Sequence, residues 1–253
     1  MQLILLLSLM LLQNPDSVLT AIGIDQKLDA VIDPATQFRD ENGESVNVGH
    51  YLGNKPIILT PVYYECPMLC SMQLNGLVKA LRVMPFTAGK EFQIVTFSID
   101  PKEMPEQALE KKRHYVHDYA RAEAGQGWHF LTGTPESIQK LTGEVGFRYM
   151  YDTYTKQWAH TSGLVVLTSE GRVSQYFYGI EYDPRALRYS LIAASNGKIG
   201  SVVDHVLMYC FQYDATTGKY SLAIMRVIRA AGITTILALV SFMVVGSRKK
   251  RLS

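Results

Sequence analysis

Residues 56–70 read PIILTPVYYECPMLC, and this stretch decides which fold we expect. Its first nine residues are an almost continuous run of apolar, β-branched and aromatic side chains, which is typical of a buried strand. Apolar residues then recur at helical spacing, at Met72, Leu74, Leu77, Val78 and Leu81. Cys66 and Cys70 therefore lie where a predicted strand gives way to a predicted helix.

The same alternation of strand and helix continues on both sides of this stretch. Further strands are predicted at residues 92–99 and 128–131, and helices at 104–121 and 136–145. An Asn-Gly turn within residues 36–46 predicts an N-terminal hairpin, and residues 164–168 and 173–178 predict a closing one. We therefore expect an α/β fold with a central mixed sheet flanked by helices.

Composition excludes several functional classes. The 253 residues include 25 Lys and Arg against 23 Asp and Glu, and 47% are hydrophobic. Such a balance does not favour nucleic-acid binding or general disorder, because the first needs a basic surface and the second a low hydrophobicity. The 3 cysteines are too few for a disulfide scaffold, so we expect them to have a chemical role and not a structural one.

Both ends of the chain are apolar. Residues 3–12 have the length of the apolar part of a signal peptide, and we predict such a peptide at residues 1–22, with a buried or interfacial helix as the alternative. Residues 230–246 carry no charge and precede the basic run RKKR at 248–251. We predict a single transmembrane helix at 229–247, with a buried core helix as the alternative.

Basic residues favour the cytoplasmic side of a membrane, so the tail at 248–253 predicts a cytoplasmic C-terminus. The working domain is expected at 25–214, on the extracytoplasmic face, with a juxtamembrane linker at 215–228. Cys210 falls near the end of that domain, among aromatic residues. A small buried hydrophobe is the first interpretation of this cysteine, and a resolving thiol or an extra metal contact is the second.

Cys66 and Cys70 carry the strongest chemical signal. Four residues of separation place both sulfurs on one face of a helical turn. The N-terminus of a helix lowers a thiol pKa and favours the thiolate, which is the form that binds metals and attacks disulfides. The pair therefore suits either a soft metal such as Cu(I) or thiol chemistry.

A histidine would complete a copper site that two thiolates leave incomplete. His160 precedes the strand at 164–168 and has the position to reach a neighbouring helix N-terminus. His50 precedes another strand, while His114 and His117 lie on a charged helix and are expected in solvent.

The order of several motifs resembles the SCO/SenC/PrrC family. These motifs are YYECPMLC at 63–70, FSIDP at 97–101, HTSG at 160–163, GRV at 171–173 and YFYG at 176–179. The resemblance implies a thioredoxin-like fold, a membrane anchor and a copper site on the exported face. It also implies copper delivery to the dinuclear copper centre of cytochrome c oxidase. Carried over, the copper ligands are Cys66, Cys70 and His160.

The chain departs from the family pattern in two places. The family's anchor is usually an N-terminal helix, whereas the spanning helix here is predicted at the C-terminus. The family commonly has an Asp immediately before the histidine, where this chain has Ala159. Asp100 is expected to cap its own turn, with a supporting carboxylate for the site as the alternative.

Two functional classes remain. The first is a copper metallochaperone, which is not an enzyme, whose partners are the copper-receiving oxidase subunit, the membrane and an upstream copper donor. The second is a thiol-disulfide oxidoreductase in which Cys66 attacks and Cys70 resolves, with a peroxide-reducing variant as a weaker third. Met68 and Met72 are potential thioether ligands, although Met72 falls on the apolar stripe of the helix and is expected in the core.

Overall fold

A computed structural model describes residues 21–200, 213–214, 219–220, 232 and 235. The chain divides into two compact units, 1–200 and 201–253. In the second unit a short antiparallel pair joins residues 213–214 to 219–220. The predicted signal peptide lies outside the described residues except for Ala21 and Ile22, and so do Cys210 and the basic tail.

The first unit contains ten strands and five α-helices among its described residues. The strands are β1 (Gly23–Ile24), β2 (Gln37–Arg39), β3 (Ser45–Asn47), β4 (Ile57–Val62), β5 (Gln93–Ser98), β6 (Trp128–Leu131), β7 (Phe147–Asp152), β8 (Gln157–His160), β9 (Gly163–Leu167) and β10 (Val173–Tyr178). The helices are α1 (Leu69–Val83), α2 (Pro105–Tyr119), α3 (Ala124–Gly127), α4 (Pro135–Glu144) and α5 (Pro184–Ser195). A short 3-10 helix covers Val48–Tyr51.

A five-stranded mixed sheet forms the centre of this unit, in the order β10-β9-β4-β5-β6. Strands β4, β5 and β6 run parallel, whereas β9 is antiparallel to both β4 and β10. Every residue of β4 and of β9 is buried. Strands buried along their whole length indicate a sheet covered on both faces, so the predicted α/β architecture and its mixed sheet are confirmed.

Two hairpins lie outside the central sheet. β2 pairs with β3 as the Asn-Gly turn predicts. The hairpin of β7 and β8, which β1 extends to three strands, is absent from the sequence prediction. Its strands are only partly buried and rich in aromatic residues, so they lack the continuous apolar run that marks β4 and β5.

Local capping explains where several helices begin. Pro135 opens α4 after Thr134, whose side chain accepts a hydrogen bond from the Ser137 N–H group. Asp183 caps α5 in the same way. Helix α1 begins without a side-chain cap at Met68, whose backbone angles are φ −148° and ψ −66°. The start of α1 is therefore available for another acceptor, and the cysteine pair lies there.

The predicted transmembrane helix at 229–247 falls almost entirely outside the described residues. Gly232 and Thr235 are the described residues of that range, and both are helical. No helix within the described ranges has the length and apolar character needed to cross a membrane.

Candidate metal centre

The fold brings three sulfur and nitrogen ligands together from two distant parts of the chain. Cys66 precedes α1, Cys70 lies in its first turn, and His160 ends β8. The potential ligand atoms of these residues all lie within 4.8 Å of one another, the one such group of three or more found in the described part of the chain. The sequence prediction of Cys66, Cys70 and His160 as neighbours thus agrees with the structure.

All three side chains are buried. Their exposed fractions are 9% for Cys66, 3% for Cys70 and 7% for His160. Both cysteines are free thiols. Burial of a thiolate or an imidazole is costly unless it is paired, so the group needs hydrogen-bond donors or a cation.

Two backbone amides supply such donors, one in the first turn of α1 and one directly after β4. The Cys70 N–H donates to the Cys66 sulfur over 3.3 Å, and the Tyr63 N–H donates to the Cys70 sulfur over 3.4 Å. The first bond uses an amide that has no partner within the helix, so the Cys66 sulfur serves as the missing cap of α1. This arrangement places a potential anion at the positive end of the helix.

The two thiols have opposite acidities. Hydrogen bonds from the Cys70 side chain, and then from His160, lower the pKa of Cys66 well below its usual range, against the opposing effect of burial. Burial raises the pKa of Cys70, and the Cys66 sulfur beside it acts in the same direction. One proton shared by two sulfurs explains both shifts, because ionisation of one thiol makes ionisation of the other less favourable.

His160 presents its Nε2 atom to the sulfurs. This atom lies 3.2 Å from the Cys70 sulfur, and Nδ1 lies 2.7 Å from the carbonyl oxygen of Thr161. A carbonyl only accepts hydrogen bonds, so Nδ1 donates to Thr161, and Nε2 is the ring atom that can bind a metal in the neutral imidazole. The Thr161 carbonyl thus orients the ring where Ala159 offers no carboxylate.

Aromatic rings fix the imidazole from two sides. The ring of Tyr63 meets that of His160 edge-on at a centroid distance of 5.8 Å, and Phe147 contacts it at 6.0 Å. Tyr63 is the first residue of the loop that follows β4, and Phe147 begins β7. The hairpin that the sequence analysis missed therefore helps to place the histidine.

Gln73 connects the cysteine helix to the histidine segment, a role the sequence analysis missed. Its side chain is fully buried and donates to the Gly163 carbonyl over 2.8 Å. It also accepts a hydrogen bond from the Ser162 hydroxyl over 2.8 Å. A buried amide with both ends paired holds two elements in one relative position. A glutamine within the apolar stripe of α1 was the available signal.

Glu103 holds the loop before Cys66 and was also missed. Its carboxylate accepts hydrogen bonds from the N–H groups of Tyr64 and Glu65, each over 2.7 Å, and from the Ser98 hydroxyl. Burial raises the pKa of this carboxyl, although the three donors oppose that shift. Asp100 instead accepts from the Lys102 N–H over 2.9 Å, which agrees with the predicted turn cap.

The remaining sequence candidates lie elsewhere or differ from expectation. His50 is exposed, and the side chains of His114 and His117 are 59% and 88% exposed, as the charged helix predicts. The prediction that Met72 belongs to the core is wrong, since it is 38% exposed. Met72 lies between Cys70 and Leu74, both buried, and the helical turn directs it away from them.

The donor set determines what the group can do chemically. Two sulfurs and a neutral imidazole are the ligands that Cu(I) prefers, and they suit hard cations such as Mg²⁺ poorly. Two adjacent free thiols also suit reversible disulfide formation. The geometry therefore fits a copper ion and also permits thiol exchange.

Comparisons with known proteins identify relatives of the chain. The SCO1/SenC family matches residues 25–193, which is more than half of the chain. A putative electron transfer protein from Aquifex aeolicus has 28% identity and a TM-score of 0.60, with 68% of this chain and 96% of that chain covered. No curated protein matches the sequence significantly.

Two further solved structures share the fold. ScoI from Arabidopsis thaliana, solved with copper bound, has 21% identity and a TM-score of 0.53, covering 66% of this chain and 99% of its own. BsSco, described as a member of the Sco family of cytochrome c oxidase assembly proteins with a disulfide switch, has 20% identity and a TM-score of 0.52. Here 69% of this chain and 99% of that chain are covered.

Proposed function

Because the chain belongs to the SCO1/SenC family, we propose that it is a copper metallochaperone for cytochrome c oxidase. It binds one copper ion through Cys66, Cys70 and His160. The observation that carries this proposal is the orientation of His160, whose Nε2 faces the Cys70 sulfur at 3.2 Å while Nδ1 is held by the Thr161 carbonyl. A thiol oxidoreductase has no requirement for that imidazole, whereas a copper site of two sulfurs and one nitrogen does.

Delivery proceeds by ligand exchange. Copper arrives as Cu(I) from an upstream donor, the remaining Cys70 proton passes to solvent, and both thiolates and Nε2 bind the ion. A copper-receiving subunit of the oxidase then replaces these ligands one at a time with its own, and the released sulfur regains a proton from water. The oxidation state of the metal does not change, so no reductant is consumed.

The proposed location is the extracytoplasmic face of a membrane. The uncharged run at 230–246 is proposed as a single C-terminal anchor, and the basic tail after it as cytoplasmic. The apolar run at 3–12 is proposed as part of a signal peptide at 1–22. A reporter enzyme fused after Ser253 tests this topology, and activity only outside the cytoplasm would overturn it.

A second candidate function is thiol-disulfide exchange on a partner protein. The low pKa of Cys66 and the adjacent free Cys70 favour it, because a thiolate attacks a disulfide and a neighbouring thiol resolves the mixed disulfide. The oxidase cysteines that receive copper are the natural substrate, since they accept metal only when reduced. Both activities use the same pair, so they are separated by what His160 contributes.

The decisive experiment measures copper in the full chain, purified reduced in detergent. Copper content and affinity are determined for the unmodified protein and for Cys66→Ser, Cys70→Ser and His160→Ala. His117→Ala is the matched control, because this histidine is 88% exposed on α2. We expect one copper per chain in the unmodified protein and in the control, lost in both cysteine variants. In His160→Ala the affinity should fall by about 10-fold or more.

Two results would contradict the proposal. An unmodified chain that binds no copper, yet forms a readily reversible Cys66–Cys70 disulfide, would assign the protein to the thiol-exchange class. Copper affinity that is unchanged in His160→Ala would remove the imidazole from the site.

A further inference from the structure

Two methionines next to the site are exposed, and for Met72 this differs from the prediction made from the apolar stripe of the helix. Met68 is 64% exposed in the loop between the two cysteines, and Met72 is 38% exposed in the first turn of α1. The Met72 N–H donates to the Met68 carbonyl over 3.0 Å, so the two residues are one helical turn apart. Met68 lies immediately before α1 and Met72 in its first turn, so both exposed side chains are at the N-terminal end of this helix, beside the cysteine pair.

The metal ligands themselves are poorly accessible. Cys66, Cys70 and His160 are each at most 9% exposed. Near the cysteines, the exposed residues are Pro67, Met68 and Met72, whereas both cysteines are buried. An ion that approaches along this side of the site therefore meets the thioethers before it meets a thiolate.

We propose that Met68 and Met72 form a transient Cu(I) site through which copper reaches the Cys66, Cys70 and His160 group and leaves it again. This inference rests on the proposed copper function. A thioether is a soft donor that suits Cu(I) and excludes harder divalent cations. It is neutral and carries no proton at any ordinary pH, so it binds the ion without proton release.

Transfer from the methionines to the cysteines is again a ligand exchange. A copper–sulfur bond to the Cys66 thiolate forms while a bond to a thioether breaks, and Cu(I) stays Cu(I). The second thiolate then replaces the remaining thioether, and the Cys70 proton goes to solvent. Thiolates bind Cu(I) more strongly than thioethers because they are charged. At equilibrium, copper therefore moves from the methionines to the cysteines.

The first test measures the rate of loading. Reduced full chain in detergent is mixed with Cu(I) held by bicinchoninate, and loss of the coloured chelate reports transfer. We expect Met68→Leu/Met72→Leu to load about ten-fold more slowly, because the metal is no longer concentrated beside the thiolates. Final copper content should be unchanged. Met104→Leu is the matched control, since Met104 is 58% exposed on a different helix start. Equal rates in all three proteins would overturn the proposal.

The second test separates this site from the cysteine site. Ag(I), a redox-inert substitute for Cu(I), is added to full chain with Cys66→Ser/Cys70→Ser and methyl-labelled methionine. We expect the methyl NMR signals of Met68 and Met72 to shift, and that of Met104 to stay in place. Absence of any shift would overturn the methionine site whatever the cysteines do. Failure of the unmodified chain to hold copper would instead overturn the proposed function, while the silver result still decides the methionines.

Discussion

The Nε2 atom of His160 lies 3.2 Å from the Sγ atom of Cys70, although 90 residues separate the two in the chain. The fold fixes both side chains. The cysteine is fixed by the first turn of α1, and the imidazole by the Thr161 carbonyl on its opposite nitrogen. Both proposed ligands are thus oriented by the fold itself, an arrangement that lowers the entropy cost of binding a metal.

Cys66 should react with alkylating agents before Cys70. Its pKa is lowered by hydrogen bonds, whereas that of the more deeply buried Cys70 is raised. An ordinary thiol becomes about 100-fold less reactive between pH 8 and pH 6, because the thiolate fraction falls. We expect the rate for Cys66 to change little over that interval. Mass spectrometry of iodoacetamide-treated apoprotein measures both the order and the pH profile, and first modification at Cys70 would contradict the assignment.

Gln73→Leu should loosen the contact between α1 and the start of β9. The substitution leaves the Gly163 carbonyl and the Ser162 hydroxyl without their partner. A buried group that loses its hydrogen bond costs about 1–3 kcal/mol, and we expect unfolding free energy to fall by that amount. Urea denaturation measures the loss, and Asn75→Leu, exposed on the same helix, is the control. Equal unfolding free energies of the two variants would show that Gln73 does not hold α1 against the start of β9.

Glu103→Ala should release the loop that precedes Cys66. The Tyr64 and Glu65 amides lose their acceptor in this variant, and a destabilisation of about 1–3 kcal/mol is expected. Because Glu103 touches the loop rather than the metal ligands, copper should still bind, with a faster rate of loss. Glu110→Ala, exposed on α2, provides the comparison. The idea fails if both variants unfold at the same urea concentration.

His129 should make the protein less stable in mild acid. Burial, and then the charge of Lys112, lower its pKa to about 4, with Glu41 opposing and His50 reinforcing the shift. The unfolded chain, with a histidine pKa of about 6.5, therefore binds more protons between pH 6.5 and pH 4. Stability is full above pH 6.5 and declines as the pH falls through this window, by at most about 3 kcal/mol.

The variant His129→Gln isolates this contribution. It removes the titrating group but keeps a polar side chain beside Tyr51, whose ring lies 4.5 Å from the imidazole. Urea denaturation at several pH values should show a smaller loss of stability between pH 6.5 and pH 4 in the variant. Parallel curves for the two proteins would assign the acid sensitivity to other groups.

Much of the central fold followed from local pattern. Continuous apolar runs predicted β4 and β5, because strands covered on both faces tolerate no polar alternation. The Asn-Gly turn predicted the hairpin of β2 and β3 for an equally local reason. The hairpin of β7 and β8 was not predicted, since its half-buried aromatic strands carry no clear period of two.

The sequence by itself determined the kind of chemistry. Two cysteines four residues apart at the start of a helix are a local arrangement, and their reactivity follows from backbone amides within the same turn. The family motifs singled out His160 as the third ligand. The sequence did not determine what supports these ligands.

Only the tertiary structure decided which residues support the cysteines and the histidine, and which side chains beside them are exposed. Gln73 contacts Gly163, 90 positions away, and Glu103 contacts Tyr64, 39 positions away. Such contacts depend on how the sheet and the helices pack. The exposure of Met72 has the same origin: helical period predicts which residues share a face, but packing decides how wide the buried face is. The burial of a side chain depends on the whole assembled fold, so a local sequence pattern alone does not determine it.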